Sequence, residues 1–398
     1  MKQLTYSRRH FMHQMGAASV VLPGLSVLSL QSCGGKSDKA TAESASSTTT
    51  TEGSKRKLGI ALVGLGQYSE GQLAPALEKT TNCRLAGIVT GTPDKAEKWK
   101  SKYSIPEKNI YDYKTFDKIA DNPDIDIVYV VLPNSMHAEY VIRAAKAGKH
   151  VICEKPMAMN AEECQQMIDA CKKANRQLSI GYRLHFEPHN QEMMRLGQKE
   201  TFGKINRIVA ENGQVQDESS PWRLGRGVGG GGPVRDVGVY CIQGAIYTKG
   251  QIPIAVTARK HPVTDTEKFS KIEEGMDFSL YFPDGTIAAC KASFNDKYNK
   301  LRAEAAKGWF ELAPAYAYDG LEGRTSQGKM EIENVPQQAH QMDAFANCIL
   351  QNKPTTVPGE LGKRDVQLIE AIFEAARTGQ KVSTKDVVQV LDKSALMS

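Results

Sequence analysis

Leu58 to Ser69 reads LGIALVGLGQYS. Its first six residues, Leu58 to Val63, carry no charge, as expected of a strand buried on both faces of a parallel sheet. Gly64-Leu65-Gly66-Gln67-Tyr68-Ser69 follows, and then a helical stretch near Gly71 to Lys79. A strand, a glycine turn and a helix in that order form a dinucleotide-binding fingerprint. Glycines let the main chain approach a pyrophosphate, and the helix N-terminus offers N–H donors and a partial positive charge. Ser69 replaces the third glycine, so the turn gains its weight from its place at the head of an α/β run. Gly64, Leu65, Gly66, Gln67 and Tyr68 are the first cofactor contacts it predicts.

The pattern continues downstream. Arg84 to Val89 is a second strand, ending in Thr90-Gly91-Thr92-Pro93-Asp94-Lys95. Folds that select NAD commonly put an acidic residue at this strand end to bond the ribose 2′-hydroxyl. Here Thr90 stands there with Lys95 nearby, which favours NADP; Asp94 keeps NAD possible. Ile127 to Leu132 is a third apolar run, leading into Pro133-Asn134-Ser135-Met136-His137. Ligands bind beyond the carboxyl ends of such strands. Leu132, Pro133 and Asn134 are therefore expected beside the cofactor. His137 either joins them or serves the next helix. Val151-Ile152-Cys153 ends in Glu154-Lys155-Pro156, and a helix over 161–174 leads to a strand at 177–180. A doubly wound Rossmann domain over 57–180 is expected.

After residue 180 the pattern favours strands, at 205–215, 254–260, 277–282, 286–294, 309–312 and 329–333. Pro283-Asp284-Gly285 is a hairpin turn signal. Helices are expected near 337–351 and 363–378. The span 181–398 thus reads as an α+β domain with a large, mainly antiparallel open sheet. Gly225 to Gly232 holds six glycines in eight residues, read either as a surface loop or as a close approach of main chain to ligand. Asp236 and Tyr240 follow, four apart and so on one face of a helix.

Upstream of Lys57 the chain reads as an address. Residues 1–33 combine Ser7-Arg8-Arg9-His10-Phe11-Met12, an apolar stretch from Met15 to Leu30, and Leu30-Gln31-Ser32-Cys33. These resemble a twin-arginine export signal and a lipobox with Cys33 as the lipidated residue. Residues 34–56, rich in Ser and Thr, read as a flexible tether. The expectation is a periplasmic protein or a lipoprotein anchored at Cys33, meeting the membrane only there. Free nicotinamide nucleotide is scarce outside the cytoplasm, so a cofactor used there should be tightly bound. The 398 residues suffice for two domains, and the net charge of +6 is spread too evenly to suggest nucleic acid. Eight cysteines form no C-x-x-C pair, so no structural metal is expected.

Taken together, these stretches resemble the Gfo/Idh/MocA oxidoreductase family, and within it the glucose–fructose oxidoreductase branch. The resemblance rests on Val63 to Gly66, Ile110 to Tyr113, Leu132 to Glu139 and Cys153-Glu154-Lys155-Pro156-Met157-Ala158. It extends through Gly181-Tyr182-Arg183, Trp222-Arg223-Leu224, Gly230 to Gly232, Asp236 to Tyr240 and Glu374 to Gly379. Arg235 and Pro233 depart from the family pattern beside the catalytic segment. The resemblance implies hydride transfer between a sugar carbon and a nicotinamide, and a homodimer or homotetramer. A tyrosine with an ordinary pKa near 10 is a poor base at neutral pH unless a cation assists it. Tyr240 is accordingly the expected acid/base, Lys155 the assisting cation that also holds the reacting oxygen, and Asp236 the group that orients the sugar or Lys155. Arg183, His185, Asp236, Tyr240 and Lys155 are expected at the sugar, and Glu154, Lys155, Arg183, Trp222 and Arg223 near the cofactor. The rival readings are a sugar or inositol dehydrogenase with exchangeable NAD(P), an NAD-dependent glycoside hydrolase, and a non-catalytic sugar-binding lipoprotein.

Overall fold

The structure is a computed structural model that describes residues 56–217, 221–225 and 230–387. The signal, the lipobox with Cys33 and nearly all of the expected tether lie outside the described residues. Arg56, counted with the tether, is held: its guanidinium donates to Asp126 and to Pro123 O at 2.9 Å.

The first sheet comprises β1 (Leu58–Val63), β2 (Cys83–Val89), β3 (Ile110–Tyr111), β4 (Ile127–Val130), β5 (His150–Cys153) and β6 (Leu178–Ile180). Their order is β3-β2-β1-β4-β5-β6, and every pairing is parallel. The reversal of direction beside β1 creates the crevice in which such sheets bind ligands. Between the strands run α1 (Ala74–Leu77), α2 (Pro93–Tyr103), α3 (His137–Lys146) and α4 (Ala161–Lys173). Asn160 caps α4 by accepting from Glu163 N at 2.8 Å, and Glu162 and Glu163 favour the positive end of the helix.

The chain then forms α5 (Pro188–Gln198), β7 (Ile205–Gly213), α6 (Val239–Lys249), β8 (Ala255–Lys260), β9 (Gly275–Tyr281), β10 (Ile287–Ser293), β11 (Tyr298–Ala305), β12 (Gly308–Leu312), β13 (Gly323–Thr325) and β14 (Gly328–Lys329). Helices α7 (Gln337–Leu350) and α8 (Gly359–Thr378) and strand β15 (Val382–Ser383) complete it. The second sheet runs β14-β13-β12-β11-β7-β10-β9-β8-β15, antiparallel except for the β7–β10 pair. β9 and β10 form the hairpin expected at Pro283-Asp284-Gly285. The strand expected at 329–333 is reduced to the two residues of β14.

α7 lies late in the chain yet packs on the first sheet. Ala339, Met342, Phe345 and Ala346 share a core with Ile60, Leu62, Ile88 and Ile152. Asp343 of α7 accepts from Thr81 N and Asn82 N at 2.8 and 2.7 Å, fixing the helix to the loop before β2. The midpoint of α8 divides its loyalties: Leu361 and Val366 belong to the first sheet's core, Leu368, Ile369 and Ile372 to the second's. The span 181–398 is therefore not self-contained, because it supplies a covering layer of the first sheet. Nothing among the described helices is long and apolar enough to cross a membrane.

Candidate active site

The turn after β1 has the geometry a dinucleotide needs. Gly64 has φ +94°, and a Cβ there would lie 2.5 Å from Val131 O. A Cβ on Gly66 would meet nothing within 4 Å, so the outer side of the turn is open to a close approach. Ser69 is buried where a third glycine was expected, and its hydroxyl donates to Gly64 O at 2.6 Å, closing the turn on itself. Thr90 is buried at the end of β2, and Lys95 Nζ donates to Leu65 O at 3.2 Å. Lys95 therefore brings its charge to the glycine turn, and Asp94 is an exposed residue of the first turn of α2. These residues fit a nicotinamide dinucleotide: open glycine main chain, a cation at the turn, and an uncharged second strand end.

The loop after β4 is held by its own polar side chains. Both ring nitrogens of His137 face main-chain carbonyls, Nε2 at 2.8 Å from Leu132 O and Nδ1 at 3.1 Å from Pro156 O. The ring is fully buried, and burial pushes its pKa down. His137 thus ties the β4 and β5 loops together and is not available to a cofactor. Asn134 is buried and donates to Gly230 O at 2.5 Å, holding the glycine-rich segment. Glu154, expected at the cofactor, turns its carboxylate inward. Tyr129 donates to it at 2.7 Å and Lys155 N at 3.2 Å; a Cβ on Gly181 would come within 2.6 Å. Burial raises its pKa against the pull of Lys155 and Tyr129. Gln341 of α7 donates to Tyr129 at 2.8 Å, so the carboxylate anchors the loop through a helix that arrives nearly two hundred residues later.

At the mouth of the first sheet, charges from both halves of the chain converge. Lys155 Nζ donates to Asp236 O at 2.8 Å and Oδ1 at 3.2 Å, and Arg223 Nε donates to Asp236 Oδ2 at 2.9 Å. The Lys155 ammonium lies 4.6 Å from the centroid of the Tyr240 ring, and the Arg183 guanidinium 5.1 Å from it. Burial alone would lower the pKa of Lys155, but Tyr240 and Asp236 hold it above the ordinary lysine value. Burial likewise works against ionised Asp236; Lys155 and Arg223 overcome it and keep the carboxyl below its usual range. Asp236 sits in a π-helical turn, Val234–Gly238, which runs directly into α6.

Arg183 is buried. It donates to Tyr316 O at 2.6 Å and Ala317 O at 3.0 Å, and also bonds Gln337 Oε1. Its Nε has no partner among the described residues. Its plane also lies 4.5 Å from the ring centroid of Tyr318. Tyr318 and Gln337 were missed in the sequence: they sit in and after an irregular segment whose one local hint is the alternation Ala315-Tyr316-Ala317-Tyr318. Trp222 is half-buried beneath the guanidinium of Arg223, 4.6 Å from the ring. His185, expected at the sugar, lies elsewhere. Its ring packs against Phe186 and Tyr247 and its Nδ1 has no partner among the described residues.

The described part of the glycine-rich stretch lies close against its own chain. Gly232 N donates to Arg223 O at 2.9 Å, and a Cβ on Gly231 would lie 2.1 Å from that oxygen. The glycines thereby seat Arg223 beside Asp236. Arg235 braces the loop after β5 from behind, donating to Met159 O at 3.3 Å and lying over Phe373 at 4.9 Å.

Residues 58–182 match the model of an oxidoreductase family with an NAD-binding Rossmann fold, and residues 190–311 that of the GFO/IDH/MocA C-terminal domain. The structure of an aldose-aldose oxidoreductase from Caulobacter crescentus, complexed with glycerol, is 41% identical with a TM-score of 0.79, covering 82% of this chain and 100% of that one. D-xylose 1-dehydrogenase (NADP(+)) of Haloarcula marismortui is 28% identical over 81% of this chain and 92% of its own length. D-glucoside 3-dehydrogenase of Escherichia coli is 25% identical over 82% and 97%.

Proposed function

The chain belongs to the Gfo/Idh/MocA oxidoreductase family, and from that membership we propose that it is a sugar oxidoreductase that keeps its NADP(H) bound between two half-reactions. The observation that carries the reading is the meeting of Lys155 and Tyr240 beside the open glycine turn, within 4.6 Å. The named activities of its relatives, on aldoses, xylose and glucosides, support a sugar CH–OH group as the site of oxidation.

When bound, the nicotinamide supplies the hydride acceptor for one sugar and the donor for the next. Tyr240 takes the hydroxyl proton of the sugar being oxidised and returns one to the carbonyl oxygen being reduced. Lys155 has three N–H donors, of which the main-chain and side-chain oxygens of Asp236 take two. The third is free among the described residues to hold the reacting oxygen. Asp236 keeps the ammonium charged and aimed, and Arg223 holds Asp236. Two cations face the Tyr240 ring and stabilise negative charge as it develops on the phenol oxygen. Lys95 at the turn supports NADP over NAD, because it brings a cation to the region of the second strand end.

The amino-terminal sequence supports export by the twin-arginine route with Cys33 as a lipid anchor, which is consistent with a cofactor carried along with the folded protein. Family membership implies a homodimeric or homotetrameric assembly, and we assign it to the outer face of the second sheet, where Arg207, Val209, Glu211, Thr257, Ser279 and Lys291 line a shallow groove. The activity is tested on protein purified without added nucleotide. Denaturation should release about one NADP(H) per chain; a first aldose should raise the reduced-nicotinamide absorbance and a second lower it. The names of the dehydrogenase relatives favour one rival, an enzyme with exchangeable NAD(P). Empty protein whose turnover demands free nucleotide would establish that rival.

A further inference from the structure

Tyr68, the fifth residue of the glycine turn, is half-buried, and its ring lies 5.8 Å from that of Tyr318 at an interplanar angle of 31°. Tyr318 comes from the segment between β12 and β13, on the other sheet, and remains 46% exposed. The main chain leading to it is firmly held. Asn299 Oδ1 accepts from Ala315 N and Tyr316 N at 2.7 Å, and Arg183 bonds the carbonyls of residues 316 and 317. Gln337, at the start of the helix packed on the first sheet, donates to Ala317 O at 3.1 Å. The next residue, Gln338, reaches Gln72 in the helical turn that follows Tyr68, at 3.4 Å. A fixed main chain thus carries an exposed ring, backed at 4.5 Å by the buried guanidinium of Arg183. The ring lies beside that of Tyr68, the last residue of the turn.

We propose that Tyr318 is a latch on the bound nucleotide: a dinucleotide seated on the Gly64–Tyr68 turn leaves only when the Tyr318 ring swings away from Tyr68. The latch opens by side-chain rotation, because the main chain leading to it is bonded at three successive residues, 315 to 317. Opening breaks the aromatic pair and the cation–ring contact with Arg183, which together slow release by roughly tenfold or more. The latch needs the ring and not the hydroxyl, since both of its observed partners meet the ring. The inference rests on the retained-cofactor reading and gives it a physical cause.

The test is the rate at which bound NADP(H) exchanges with an excess of a fluorescent or isotopically labelled NADP, measured on the full chain for wild type, Tyr318→Phe and Tyr318→Ala. Retention by wild type and Tyr318→Phe, with exchange at least about tenfold faster in Tyr318→Ala, is the expected result. Equal exchange in all three, with circular dichroism showing Tyr318→Ala folded, overturns the latch and leaves retention to another cause. Fast exchange already in wild type overturns the retained-cofactor reading itself. If Tyr318→Ala fails to fold, Tyr318→Leu and Tyr68→Leu take its place, and unchanged exchange in both again overturns the latch.

Discussion

Two clusters in this molecule have nearly the same composition and opposite uses. The first is Lys155, Asp236, Arg223, Arg183 and Tyr240 at the mouth of the first sheet. The second lies beneath α8. There Arg364 Nε donates to Asp365 Oδ1 at 2.7 Å, and the other carboxylate oxygen accepts from Tyr182 at 2.8 Å and Gln243 at 3.2 Å. Tyr247 and His185 complete it, the Arg364 guanidinium standing 5.9 Å from the Tyr247 ring. Each cluster has an arginine–aspartate pair, at least one tyrosine and a titratable base. Arg364 and Asp365, however, are sealed at 0% and 1% exposure, whereas the first cluster opens beside the glycine turn and keeps an N–H of Lys155 uncommitted among the described residues. Charge and burial alone do not separate the two clusters; an uncommitted donor facing an open cradle does, and the proposed chemistry rests on it.

The sharpest way to break this contrast is to remove one cation from each cluster. Lys155→Ala should lower kcat/KM by roughly 10³-fold while thermal unfolding moves little, since Asp236 keeps Arg223. Arg364→Ala should do the reverse: a loss of about 3–5 kcal/mol in urea unfolding, because Asp365 is left buried without its ion partner, with kcat of the folded fraction near wild type. If Arg364→Ala abolishes turnover in folded protein, the sealed cluster has been misjudged.

A smaller effect separates the clusters by pH. Burial, with Arg364 adding to it, lowers His185 to about 4, whereas an unfolded chain titrates near 6.5. Between those values the unfolded state binds a proton that the folded state refuses. Stability therefore falls as pH drops through that window and levels off below about 4, by up to about 3 kcal/mol. His185→Phe should remove this part of the acid sensitivity, read as the difference in urea midpoint between pH 7 and pH 4.5.

In the first cluster pH acts through Lys155, and the effect is smaller still. Asp236→Asn removes one of the charges that raises the lysine against its burial. The alkaline limb of kcat should move to lower pH, with a loss of roughly tenfold at neutrality. An unshifted limb would mean that Asp236 does not hold the ammonium in its charged state.

The two sheets also differ in how legible they were in sequence. β1, β4 and β5 announce themselves as apolar runs because both faces are covered, β2 does so after its exposed Arg84, and the turn after β1 is marked by its glycines. β11 was missed. Its outer face carries Lys300, Arg302 and Glu304 and its inner face little more than Leu301 and Ala303, so its alternation is weak. α5 was missed as well, and no local pattern could reveal that α7 would cover the first sheet. Within the site, Lys155, Asp236 and Tyr240 were readable because they lie in recognisable motifs. His185 was misassigned because it is near Arg183 in sequence; on the tight turn Arg183–Phe186 the two side chains enter different clusters. Tyr318 escaped notice because its importance comes from Arg183 and Tyr68, partners distant in the chain.

The central claim is that Lys155 and Tyr240 act on one reacting oxygen. Single-turnover reduction of the bound nicotinamide by an aldose, followed by stopped-flow absorbance in Lys155→Ala, Tyr240→Phe and the double variant, tests it most directly. Groups that act as a unit lose their effects together, so the double variant should be no slower than the slower single variant within about a factor of three. A double variant slowed by the full product of the two single effects would contradict the account, because it would show the two side chains working independently.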